Sequence, residues 1–158
     1  MSNQIVKRFT MLMLVVGLAF AATAVSANAQ TTSAHVIANI PFEFVVGTAT
    51  LPAGKYTVRA ATSNSEALRI SSRDTESSAI RLSSLVKDKS EKRKARMVFH
   101  RYGQQYFLAE VWSGDNYGRQ VFESKRERNL RREIEMIASK TNSASESYQI
   151  VEVVALAR

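Results

Sequence analysis

The sequence predicts one mainly β domain, a single antiparallel β-sandwich or small barrel, with one late surface α-helix. Three observations carry this. About seven short runs rich in β-branched and aromatic residues fit a pleated, half-buried surface. Turn-prone clusters separate them about every 8–15 residues, the spacing of an all-β fold. The hydrophobic period then changes from that of a strand to that of a helix at Glu123.

The first run, His35 to Val46 (HVIANIPFEFVV), contains Pro41. Proline cannot donate to a sheet ladder, so the strand lies at an edge or breaks there. Beyond it, Phe42, Phe44 and Val46 take alternate positions. Thr48-Ala49-Thr50 reads as a turn tip. Leu51-Pro52-Ala53-Gly54 is a second turn, with proline presetting φ at the second position and glycine permissive at the fourth. Strands are expected at Tyr56–Arg59, Leu68–Ser71 and Ala79–Leu85, divided by Asn64-Ser65 and by Asp74-Thr75-Glu76.

Lys87 to Arg96 (KDKSEKRKAR) reads as a solvated basic loop. Met97–Tyr102 and Gln105–Ser113 flank Gly103-Gln104, and glycine first in a two-residue loop suits a type II′ hairpin. That register sets His100 opposite Phe107 and Phe99 opposite Leu108. Both faces of the hairpin carry apolar residues, which places it centrally in the sheet. Gly114 to Gly118 is the next turn. A helix is expected over about 123–139, with Leu130, Ile134 and Ile137 on its buried face. Glu127–Arg131 and Arg131–Glu135 are spaced to pair along it, each contributing only ~0.2–0.5 kcal/mol. Asn142–Ser147 reads as a linker, and Tyr148–Leu156 (148–156) as a final strand that re-enters the sheet.

The N-terminus reads as an address. Lys7 and Arg8 precede a 14-residue run, Phe9 to Ala22, that is apolar apart from Thr10, and small residues lead to Ala27-Asn28-Ala29. That is the layout of a secretory signal peptide over 1–29, with cleavage after Ala29 or Ala27. An uncleaved anchor is the alternative, but a membrane-spanning helix needs ~20 apolar residues. The remaining chain, 30–158, then forms the domain, and loss of Lys7 and Arg8 lowers the formal charge from +8 by two. The expected location is secreted, periplasmic or at the cell envelope. No later run is long enough to cross a bilayer.

Zero cysteines exclude disulfides, thiolate metal sites and cysteine nucleophiles. Two histidines, His35 and His100, without an H-E-x-x-H pattern make a zinc site poor. A triad would need a positioned serine and acid beside His100, and no G-x-S-x-G elbow occurs. No glycine-rich phosphate loop is present. No cofactor and no catalytic residue is therefore assigned.

The stretch IPFEFVVGTATLPAGKYTV (Ile40 to Val58), the hairpin MVFHRYGQQYFLAEVW and the basic segment SKRER (Ser124 to Arg128) resemble, as a set, a family of small exported bacterial proteins of unknown function. That family carries an IPFxFxVGxxxLPAGxY block. The resemblance implies a small exported β-domain and brings no catalytic residues. Here Thr48-Ala49-Thr50 replaces a more polar loop.

The most visible chemistry is two basic patches. Lys87, Lys89, Lys92, Arg93, Lys94 and Arg96 form one; Lys125, Arg126, Arg128, Arg131 and Arg132 form the other. Such patches bind anionic polymers by counterion release, and they also serve merely as solvated faces. The first functional expectation is a non-catalytic exported protein binding an anionic polysaccharide or envelope surface; export argues against intracellular nucleic acid. A second is a small secreted glycan hydrolase, with carboxylates among Glu43, Glu110 and Asp115 converging beside Trp112. A third is an assembly subunit that pairs through its terminal strand.

Overall fold

A computed structural model of the chain describes residues 35–62, 66–88, 94–141 and 148–158. The expected signal peptide and the 142–147 linker lie outside these residues. The described strands are β1 (Val36–Ile40), β2 (Phe44–Val46), β3 (Ala49–Leu51), β4 (Gly54–Ala60), β5 (Ala67–Ser72), β6 (Ser78–Lys87), β7 (Ala95–Tyr102), β8 (Gln105–Ser113), β9 (Tyr117–Val121) and β10 (Gln149–Ala157). The helix α1 spans Lys125–Thr141.

Eight strands close into an antiparallel barrel. Their order is β8-β7-β10-β1-β4-β5-β6-β9, and β9 returns to β8. The β2–β3 hairpin joins β8 through one parallel pairing, Val45 opposite Phe107. Two long strands turn the corners. In β6, residues 78–82 pair with β5 and 83–87 with β9. In β10, residues 149–154 pair with β7 and 155–157 with β1. Each corner strand thus belongs to one sheet in its first half and to the other in its second. That is how two crossed sheets become a barrel, and it settles barrel over sandwich.

Alternation fills the interior. Val36, Ala38, Ile40, Tyr56, Val58, Leu68, Ile70, Met97, Phe99, Leu108 and Val111 are buried in one core. The β2–β3 hairpin adds Phe44, Val46 and Leu51 to it. Phe44 meets Tyr56 and Phe99 edge-on at ring distances of 5.0 and 5.4 Å. Burying each such ring contributes about 1.5–3 kcal/mol. The Tyr56 hydroxyl donates to the Pro52 carbonyl at 2.7 Å, which ties the predicted turn to the core.

Pro41 breaks the first strand into β1 and β2, as its missing donor requires. The β7–β8 hairpin takes the predicted register, Phe99 opposite Leu108 and His100 opposite Phe107, with Gly103 at φ +61° in the turn. Beyond Val98 the register slips by one residue, because Ala109 is an extra residue on β8.

Two strands were not expected. β3 occupies part of the supposed turn tip, since the turn is made one step earlier, at Gly47 with φ +67°. β9 was hidden by Gly118, which reads as turn punctuation. Gly118 instead sits opposite Trp112, and a Cβ there would lie 2.4 Å from the indole. The glycine is a slot for the ring.

Ser124 caps α1, its Oγ accepting from the Glu127 N–H at 3.0 Å. Leu130 and Ile134 pack on Val45, Tyr102 and Phe107, covering the outer face of β7–β8. This is why both faces of that hairpin are apolar. The helix starts two residues later than expected, and its inner side continues to Ala138; Ile137 is 58% exposed. The expected pairing of Glu127 with Arg131 is replaced: Glu127 turns to His100 and Arg131 to Glu123. Among the described residues no helix is long and apolar enough to cross a membrane.

Candidate functional site

The two basic patches fare differently. In the first, Lys87 and Lys94 are exposed, while Lys89, Lys92 and Arg93 lie outside the described residues. Arg96 is not a surface cation: it is 9% exposed, its Nη2 donates to Asp88 at 3.1 Å, and its Nε lies 3.8 Å from Glu152. Its guanidinium stacks 4.8 Å over the Trp112 ring. The charge run overlaps the start of β7, so its last member faces Trp112 across the ladder. Arg96 is therefore withdrawn as a binding residue.

The second patch is the first half of α1. Lys125, Arg126, Arg128 and Arg132 are exposed along it. Arg131 is partly buried and bonded to Glu123 at 3.1 Å, so it supports the helix rather than the patch's outer charge. Three of the exposed cations fall in the first turn, beside the positive end of the helix dipole. That placement costs stability, since cations belong at the other end. It also concentrates positive potential at one spot. A groove of about 510 Å³ runs here between the helix and the β7–β8 turn, lined by Gln105, Lys125, Arg126, Asn129, Leu130 and Glu133. Arg126 Nη2 donates to Gln105 Oε1 at 2.7 Å across it. The groove thus offers cations, two amides and one carboxylate.

Beneath the patch lies a buried polar cluster that charge counting missed. Glu127 is 3% exposed and its Oε1 lies 2.9 Å from His100 Nδ1. A carboxylate can only accept, so Nδ1 carries the proton of that bond. Tyr148 lies across the imidazole at a ring distance of 4.1 Å. The Tyr102 hydroxyl is buried without a hydrogen-bond partner among the described residues. Burial, followed by the negative charges of Glu127 and Glu123, pushes that hydroxyl well above the ordinary tyrosine range. His100 Nδ1 and the carboxylates of Glu123 and Glu127 fall within 4.8 Å of one another, a spacing that suits a cation. The same atoms are engaged by each other and by Arg131, whose guanidinium already offsets one of the two carboxylate charges. The legible clue was the S-x-x-E spacing from Ser124 to Glu127, a helix-start signature whose acid here reaches a strand histidine.

The carboxylates considered for hydrolysis are held separately. Glu110 Oε2 accepts from Trp112 Nε1 at 2.8 Å. Asp115 accepts from Ser113 Oγ at 3.1 Å in the β8–β9 turn. Glu43 is exposed between β1 and β2. The terminal strand is also occupied: β10 pairs along its length with β7 and then β1. Comparison with known proteins finds no matching family model, no matching curated protein and no matching solved structure.

Proposed function

We propose that this is an exported, non-catalytic barrel protein of the bacterial envelope or its surroundings. It binds an anionic polysaccharide through the first half of α1. One observation carries the reading: three exposed cations crowd the positive end of a helix, where they cost stability, beside a groove lined by amides. Local rules broken without local gain mark places where function sets the sequence. Amides at Gln105 and Asn129 suit sugar hydroxyls, while Lys125, Arg126, Arg128 and Arg132 suit carboxylate or sulfate groups. The same proposal accommodates the family resemblance. Of its three blocks, the first includes β2, whose Val45 packs under the helix, the second is the β7–β8 hairpin that the helix covers, and the third is the helix start.

The test is binding of the purified product of the 158-residue chain to immobilised polyuronate and sulfated glycan across a salt titration. Reversing Lys125, Arg128 and Arg132 to Glu is expected to weaken binding at least ~10-fold and to flatten its salt dependence. Unchanged affinity in the triple variant would exclude this face.

A further inference from the structure

The two ends of the barrel are filled differently. At one end the interior holds Phe44, Tyr56 and Phe99, all fully buried. At the other end two positions are small: Ala60 and Ser113 line a cavity of about 290 Å³. Barrel mouths are a preferred place for ligand sites. The floor is apolar, made by Val36, Val58, Leu68 and Val111, each 5% exposed or less. Two large apolar side chains at the rim remain in water, Leu85 at 63% and Tyr117 at 51% exposed.

The charged residues of the lining, over the apolar floor, are the cations Arg59 and Arg119 and the carboxylate Asp115. Arg119 is the cross-strand partner of Leu85, so a cation and an apolar side chain stand next to each other at the entrance. We propose that this mouth binds a small amphipathic carboxylate. Its apolar body lies on Val36, Val58, Leu68 and Val111, and its charged head lies at Arg59 and Arg119. The volume sits at the small end of ligand pockets, about 300–1,000 Å³, which sets the class as short or medium alkyl or aryl chains rather than lipids with two tails. The site shares no residue with the helix face and stands independently of the polysaccharide reading.

The experiment is titration of the purified product of the 158-residue chain with hexanoate, octanoate and decanoate below their micelle concentrations. Calorimetry gives the readout. Affinity is expected to rise about fourfold per added methylene until the cavity is full. Arg59→Glu and Leu85→Ser, both at exposed positions, should each weaken decanoate at least ~5-fold, and decylammonium should bind at least ~10-fold more weakly than decanoate. Arg128→Glu on the helix should leave decanoate binding unchanged. The proposal is overturned by absence of saturable binding up to about 1 mM. It is equally overturned by ammonium binding as tight as carboxylate, by affinity independent of chain length, or by loss of decanoate binding in Arg128→Glu but not in Arg59→Glu.

Discussion

Glu127 shows how one side chain serves two levels of structure. Its backbone N–H closes the cap on Ser124, and its carboxylate leaves the helix to hold His100 on β7. Removing the imidazole strands a buried acceptor, which typically costs the desolvation of that group. His100→Ala is therefore expected to destabilise the fold by about 2–3 kcal/mol, read from urea unfolding midpoints. A change within error would mean water takes over the bond. Tyr102 gives the opposite case. Its hydroxyl has no partner among the described residues, so Tyr102→Phe should be neutral or stabilising by up to ~1 kcal/mol near neutral pH. It also carries a pH signature. The folded state holds the hydroxyl proton above the ordinary range, while the unfolded chain releases it near pH ~10. The contribution is thus fully present below that pH and is lost as pH rises above it and through the higher folded-state value. Alkaline unfolding curves of wild type and Tyr102→Phe should converge below pH ~10 in shape and separate above it, with the variant the less sensitive.

At the scale of elements, α1 is held by its start and by two apolar residues, Leu130 and Ile134. Ser124→Ala removes the cap and should cost ~1 kcal/mol, with a matching loss of helix signal on mild heating. If stability were unmoved, docking alone would hold the helix. The elements also explain what could be read in advance. Strands with clean alternation, such as β5, and the β7–β8 hairpin with its glycine turn, were legible because short-range pattern fixes them. β9 was not, since Gly118 is there for the Trp112 ring on a neighbouring strand, a reason invisible along the chain. Arg96 was misread for the same cause: a basic residue in a charge run looks exposed until β10 and β8 are known to flank it. The exposed cations of α1 were legible from the run itself. The pairing of Glu127 with His100 joins residues 27 apart in sequence and required the fold.

At the largest scale, the described residues form a barrel whose two corner strands are each shared between crossed sheets. Neither sheet is complete without β10, which links β7 to β1. A chain ending at Ser147 is therefore expected to lose cooperative unfolding and near-ultraviolet circular dichroism, because the barrel is left open along two strands. A truncated chain that kept a sharp thermal transition would show that seven strands suffice.

The two ends of the described chain lie side by side: the His35 N–H donates to the Arg158 carbonyl at 2.9 Å, and Arg158 returns the bond. That small knot sets a timetable. During synthesis β1 emerges early and waits for its neighbour β10 until more than a hundred further residues have been made. Hairpins can form on the way, but ring closure comes only once β10 is available to bridge β7 and β1.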